Sequence, residues 1–417
     1  MSALRKWAAA LAVAATPAAA APDEAALGKA EGYPWKPLTP DFSQFEDRYK
    51  VGNFTHMERI FWPRTIAAGG DVRVLAPRQE RFDVRYPYAG HTYTLDDLLD
   101  RQRIMALLVL KGDEIVAERY QYGRGPADKF ASFSMAKTVT GLLAGIALQE
   151  GAIASLDDPA SKYAPSLEGT AYGDASIRTL LRMSSGARWS DRAVAGQSTD
   201  IARLSGDTFY RRGAGGATAL REVRQRDAPP DTRFNYSSAE TFALGLALRG
   251  AVKKDLADYA AGKLWRPMGA ETAASWLTDA SGMESAYCCI NATLRDYGRL
   301  GLLLAGDGAR EGRAVVPREY LLDATDAARQ PEYLKPRRAT QFFGYGYQAW
   351  IYPFRTRTFQ ARGLFGQELI VQPESRIVIV ILSANASGDM PAEQQVERNY
   401  FVGAVLQALG GKADLYR

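Results

Sequence analysis

Ala131-Ser132-Phe133-Ser134-Met135-Ala136-Lys137-Thr138 runs directly into Val139, Leu142, Leu143, Ile146 and Ala147, apolar residues at helical spacing, and the pattern stops at Gly151. The spacing predicts a mostly buried helix, with Ser134 and Lys137 three apart on one face of its first turn. A serine hydroxyl is a poor nucleophile until a base removes its proton, and a lysine amine is a base only when neutral. Apolar surroundings and the positive end of the helix dipole both push a lysine toward neutrality. Ser134 and Lys137 are therefore the candidate nucleophile and base.

Outward from this helix, the chain reads as an open sheet cut in two. Met105–Leu110 and Ile115–Tyr120 form a predicted hairpin across Lys111-Gly112-Asp113-Glu114, immediately before the Ser134 helix. Three further strands are predicted late, at Gly346–Tyr352, Gly366–Val371 and Arg376–Leu382, with Pro373-Glu374-Ser375 turning the last two together. A final helix carries Val396, Phe401, Val405 and Leu409 on one side and ends before Gly410. Between Gly151 and the late strands the signals are helical or loop-like, around Ile177, Leu180 and Leu181 and from Ala239 to Leu248. The fold class expected is α/β (α+β): an antiparallel sheet of about five strands flanked by helices. The expected domains are a sheet domain over 91–150 and 291–417, an inserted helical domain over 151–290, and an N-terminal arm over 21–90.

The 417 residues are 47% hydrophobic and 24% charged, which suits a soluble globular protein too long for one small core. Arg5 and Lys6, the apolar run Trp7–Thr16 and Ala18-Ala19-Ala20 read as a secretory leader over 1–20, giving a periplasmic or secreted protein with no stable membrane span after cleavage. The net charge of +5 is not gathered into a basic run, so a nucleic-acid partner has no support. Two histidines without metal-ligand spacing, and two adjacent cysteines, give no metal site, and no cofactor is expected. Cys288 and Cys289 are expected as two free thiols, since a bridge between neighbours closes a small, strained ring.

Ser134-Met135-Ala136-Lys137, Phe234-Asn235-Tyr236-Ser237-Ser238-Ala239 and Arg362-Gly363-Leu364-Phe365-Gly366-Gln367 occur in the order of three active-site motifs. With Ser155-Leu156-Asp157-Asp158-Pro159 and Leu180-Leu181-Arg182-Met183-Ser184-Ser185-Gly186 between them, the chain resembles the serine β-lactamase and penicillin-binding protein superfamily. Within it, the similarity is to class C-like hydrolases of the 6-aminohexanoate-dimer hydrolase type. The resemblance covers roughly residues 55–410 and implies a β-lactamase/transpeptidase-like fold.

The resemblance implies Tyr236 as third catalytic residue, and main-chain N–H groups of Ser134 and Leu364 as the oxyanion hole. Read physically, a phenol beside a lysine can pass a proton to a leaving group, and preformed N–H donors lower an acyl-transfer barrier by ~3 kcal/mol each. Gly363, Arg362, Phe365, Gln367 and Trp189 are the candidate substrate-binding residues, with Asp191 a further pocket-rim candidate. Three departures from the family pattern bear on substrate. Ser238 stands where Tyr-x-Asn is common, Arg362-Gly363 replaces Lys or His before Thr/Ser-Gly, and Phe365 stands where many aminohexanoate-dimer hydrolase relatives carry histidine.

The expected function is an extracytoplasmic serine hydrolase acting on a small-molecule amide, ester or peptide through acyl-Ser134. A penicillin-interactive DD-peptidase or β-lactamase is the alternative in the same chemistry. A silent peptidoglycan- or antibiotic-binding scaffold is the alternative in another class.

Overall fold

The computed structural model describes residues 23–38, 45–192, 199–210 and 215–415. The leader expected over 1–20 lies outside them. Among the described residues no helix is long and apolar enough to cross a membrane.

The chain enters through α1 (Asp47–Phe54) and α2 (Met57–Ile60), then β1 (Trp62–Ile66) and β2 (Ala76–Pro77). The hairpin β3 (Ile104–Lys111) and β4 (Glu114–Tyr120) follows, closed by Gly112 at φ 56°, a left-handed turn that glycine adopts without Cβ strain. Next come β5 (Lys129–Ala131), α3 (Met135–Gln149), α4 (Ile177–Leu181), α5 (Asp200–Ser205) and α6 (Ser238–Val252). The strands β6 (Ala274–Thr278) and β7 (Ile290–Thr293) lead into α7 (Leu294–Ala305). The chain ends on β8 (Gly344–Tyr345), β9 (Trp350–Ile351), β10 (Phe359–Gly363), β11 (Gln367–Gln372), β12 (Ile377–Ser383) and α8 (Ala392–Ala408).

The main sheet has the order β8-β9-β10-β11-β12-β3-β4-β2. Its antiparallel centre is the five strands β10-β11-β12-β3-β4, extended at both edges by two-residue pieces, of which β2 pairs in parallel with β4. Alternation along β12 and β3 builds the layers. Val378, Val380, Leu382, Leu108 and Leu110 face a core shared with α3 and α7. Ile379, Ile381, Leu107 and Val109 face Phe401, Val402 and Val405 of α8. Every residue of β12 is buried, which is why it reads as one continuous apolar run.

A second, four-stranded sheet, β1-β6-β7-β5, is built from segments that carry little strand pattern of their own. It matters for the site because β5 delivers the chain to Ser134 and β7 follows Cys289.

Two local expectations need correction. Of Gly346–Tyr352 only Trp350–Ile351 pairs as a strand, because Gln348 takes φ 59° and its N–H turns away to Leu181 O at 3.0 Å. The strand beside β11 is instead Phe359–Gly363, whose polar and basic residues hide the alternation. Cys288 and Cys289 are joined in a vicinal disulfide rather than left as free thiols. Cys289 has φ 73° and its N–H is tied to Phe133 O at 3.1 Å, a turn that brings the two adjacent side chains to one side.

Candidate active site

Ser134 sits where β5 gives way to α3. Phe133, just before it, takes φ 44°, an uncommon conformation for a residue with a Cβ. Phe133 is held there by ring contacts to Phe54 at 4.9 Å and Phe365 at 5.2 Å, and its carbonyl accepts from Cys289 N. Ser134 occupies the helix N-cap position, yet its side chain makes no capping bond. Its Oγ lies instead 2.8 Å from Lys137 Nζ.

Lys137 is 1% exposed. Besides Ser134, its Nζ reaches Ser238 Oγ at 3.1 Å and the carbonyl of Tyr287 at 3.1 Å. Burial lowers its pKa from 10.5 to about 8, with the Asp191 carboxylate opposing the shift. The rings of Tyr236 and Tyr287 flank the amine at 4.9 and 5.6 Å.

Asp191 defines the other side of this network. Its carboxylate accepts from Ser238 N at 2.8 and 3.0 Å, from Ser238 Oγ at 2.6 Å and from the Trp189 indole N–H at 2.8 Å. It thus sits at the N-terminal end of α6, where exposed N–H groups and the helix dipole favour an anion. Ser237 caps the same helix through its side chain on Glu240 N.

Tyr236, one residue earlier, lines the same cavities as Ser134, and burial pushes its pKa well above the ordinary 10, with the nearby Ser134 hydroxyl opposing the shift. The phenol is therefore protonated near neutral pH. Its ring packs on Trp350 at 5.2 Å and edge-on to Tyr345 at 6.2 Å.

Gly363 ends β10 in extended backbone, so its lack of a side chain concerns space rather than φ. A Cβ there would lie 2.3 Å from Ser132 O and 3.1 Å from Ser134 N. The third motif is pressed against the backbone that carries Ser134. Leu364 follows, 44% exposed, and begins the turn Leu364–Gly366 in which Phe365 takes φ 60°. The turn is braced by Phe365 N on Gly388 O at 2.8 Å and by the fully buried Arg398, which donates to Gly366 O at 2.8 Å.

Two cavities meet at Ser134, Tyr236, Leu364 and Asp389. Phe365 and Asp191 face one of them; Arg362, Gly363 and Gln367 face the other. Arg362 lies over the rings of Phe343 and Trp350 at 4.9 and 5.7 Å and is bonded to Gln395. The Gln367 amide is committed to backbone, donating to Leu364 O at 3.1 Å and Ser383 O at 2.8 Å. Trp189 lines neither cavity; it is buried behind Asp191 and positions that carboxylate.

Ser238 and the Tyr287 carbonyl join the site without having been singled out as catalytic. The signal for Ser238 was its place in the Tyr-x-Asn motif. A main-chain carbonyl carries no such signal. No cluster of metal-binding side chains occurs among the described residues.

The family model described as Beta-lactamase matches residues 94–402. The 6-aminohexanoate-dimer hydrolase of Paenarthrobacter ureafaciens is 26% identical over 295 residues, covering 70% of this chain and 75% of that protein. Among solved structures, a candidate 6-aminohexanoate-dimer hydrolase from Bacillus anthracis superposes with a TM-score of 0.77 at 22% identity, over 91% of this chain and all of that one. EstCE1, described as a hydrolase with promiscuous acyltransferase activity, superposes with a TM-score of 0.57 at 16% identity, over 76% and 96% of the two chains. The match spans the hairpin, the Ser134 helix, the Tyr236 motif and the Gly363 turn alike, and the chain accordingly belongs to the β-lactamase family as one of its serine hydrolases.

Proposed function

We propose that this protein cleaves amide or ester bonds through an acyl-Ser134 intermediate, with Lys137 as base and Tyr236 as proton donor. One observation carries the reading: the proton inventory around Lys137 Nζ. The Tyr287 carbonyl can only accept, and the Ser238 O–H donates to Asp191, so Ser238 too must accept from Nζ. Once neutral, the form that burial favours, the amine has two N–H donors, and these two partners use both. Its lone pair is then left facing Ser134 Oγ at 2.8 Å.

In the acylation step Ser134 Oγ attacks the carbonyl carbon and its proton passes to Lys137 Nζ. The oxygen of the tetrahedral intermediate accepts from the N–H groups of Ser134 and Leu364. Lys137 then returns the proton, through the Tyr236 hydroxyl, to the departing nitrogen or oxygen as the bond to the acyl carbon breaks. Water attacks the acyl-serine in the second half, losing its proton along the same route, and Ser134 Oγ is released as the hydroxyl. The similarity to a 6-aminohexanoate-dimer hydrolase supports linear amides among the substrates. β-Lactams rank below them, because Ser238 supplies no side-chain amide and its hydroxyl is already held by Asp191.

A fluorophosphonate probe should label the peptide containing Ser134, and Ser134→Ala should lose both labelling and turnover. Labelling elsewhere, with Ser134→Ala still active, would refute the assignment. The leader reading places the enzyme outside the cytoplasm. It predicts a mature N-terminus just after Ala20 in the periplasmic or extracellular fraction, whereas an intact Met1 in the cytoplasm would contradict it.

A further inference from the structure

The two cavities that meet at Ser134 differ in chemistry. The larger, about 360 Å³, is walled by Phe45, Met57, Phe61, Phe209, Leu277 and Tyr287, among others. Among the described residues that line it there is no cationic side chain, and the two carboxylates among them are spoken for or peripheral. Asp191 is held by Ser238 and Trp189, and Asp389 is an exposed residue at the rim shared with the second cavity. The smaller, about 230 Å³, is polar, with Arg362, Glu368 and Asp389 around Trp350.

Three of the apolar walls come from an unexpected place. Phe45, Met57 and Phe61 precede residue 94, where the match to the family model begins. They are seated firmly: Phe61 meets Phe209 at 5.2 Å, Phe45 stacks on Phe365 at 6.1 Å, and Met57 is 4% exposed. Phe209 belongs to the π-helical stretch Gly206–Tyr210 that continues α5, so the N-terminal segment and this stretch close on each other over the cavity.

Building on the acyl-Ser134 reading, we propose that the apolar cavity holds the acyl half of the substrate, that this half is an uncharged hydrocarbon chain or ring, and that Phe45, Met57 and Phe61 set its length. Orientation follows from the order of events. The leaving group must depart and water must enter while the acyl group stays on Ser134. The polar cleft, whose own walls Trp350, Arg362, Gly388 and Met390 are half-exposed, suits that exchange; the cavity with buried walls at Met57, Phe61, Phe209 and Tyr287 suits retention. Among the described residues, a chain bearing a terminal ammonium would shed its hydration with no unengaged carboxylate away from the rim to receive it.

Two ester series on the full-length protein test this. With p-nitrophenol fixed and the acyl chain lengthened from acetyl, kcat/KM should rise about fourfold per methylene until the cavity is filled, then fall. With acetyl fixed and the alkyl alcohol lengthened, it should change little. The hexanoyl ester should exceed its 6-aminohexanoyl counterpart by two orders of magnitude. Met57→Trp should move the acyl optimum to shorter chains and Met57→Ala to longer ones, read as ratios within each variant. Flat or falling rates from acetyl onward, length dependence confined to the alcohol, or parity of the aminohexanoyl ester would each overturn the proposal. Fluorophosphonate labelling of Ser134 in the same preparation separates the cases: labelling with no acyl preference sinks this inference alone, and absence of labelling sinks the acyl-serine reading beneath it.

Discussion

Asp191 Oδ2 accepts the Ser238 hydroxyl proton at 2.6 Å, and that single bond fixes which way Ser238 can face Lys137. Having donated to Asp191, Ser238 accepts from Nζ at 3.1 Å. The same carboxylate opposes the burial that lowers the pKa of Lys137. Asp191→Asn should therefore lower that pKa further and move the rising limb of the pH–kcat/KM profile to lower pH. A limb that stays in place, or moves upward, would show that Asp191 does not act on Lys137.

For the wild-type protein the sign is set by the base. In the proposed mechanism Lys137 works neutral, and burial lowers its pKa to about 8, so kcat/KM should climb roughly tenfold per pH unit below that value and level off above it. Lys137→Arg should be silent, since a guanidinium does not surrender its proton. A profile flat from pH 6 to 10 would remove Lys137 from the base role.

The same shift has a consequence for stability. The folded pKa lies below the ordinary 10.5, so burial of the ammonium destabilises the fold below pH 8, and this penalty fades as pH rises toward 10.5. Relative to Lys137→Met, the wild type should gain about 3 kcal/mol of unfolding free energy between pH 7 and 10.5. Urea titrations of both proteins at the two pH values measure it. A pH-independent difference would contradict the buried, shifted amine.

Burial keeps Tyr236 protonated, and the proposed mechanism uses it to deliver a proton. An amide nitrogen needs protonation as it leaves, whereas p-nitrophenolate leaves unaided. Tyr236→Phe should damage amide hydrolysis more than p-nitrophenyl ester hydrolysis, by a further ~10²–10⁴-fold. Equal losses on both would move Tyr236 to the activation of Ser134.

Gly363→Ala tests the backbone contact. The new Cβ would meet Ser132 O at 2.3 Å, so either β10 or the Ser134 loop must shift. A stability loss of about 1–3 kcal/mol, with kcat falling far more than KM rises, is expected. Unchanged kinetics would show that the Gly363 approach has no part in catalysis.

How much of this was legible in the residues depends on what each one uses to act. The proposed roles of Ser134, Lys137, Tyr236 and Gly363 rest on side-chain type, or its absence, at motif spacing, and all four stood out. The five central strands were visible as apolar runs, except β10, where Phe359-Gln360-Ala361 is buried without an apolar pattern and the half-buried Arg362 follows. Ser238 read as a missing asparagine, and only the fold shows its hydroxyl between Asp191 and Lys137. Tyr287 contributes a carbonyl, which any residue would supply. Phe45, Met57 and Phe61 reach the cavity through contacts far apart in sequence, and no local periodicity encodes such contacts.

The central claim is a covalent acyl-Ser134 made with the help of Lys137. It is tested most directly by acid-quenching the enzyme during turnover of a slow ester and mapping the adduct by peptide mass spectrometry. The expected result is an acyl mass increment on the peptide bearing Ser134, absent in Ser134→Ala and formed orders of magnitude more slowly in Lys137→Met. An increment on any other residue, or formation at wild-type rate in Lys137→Met, would contradict it.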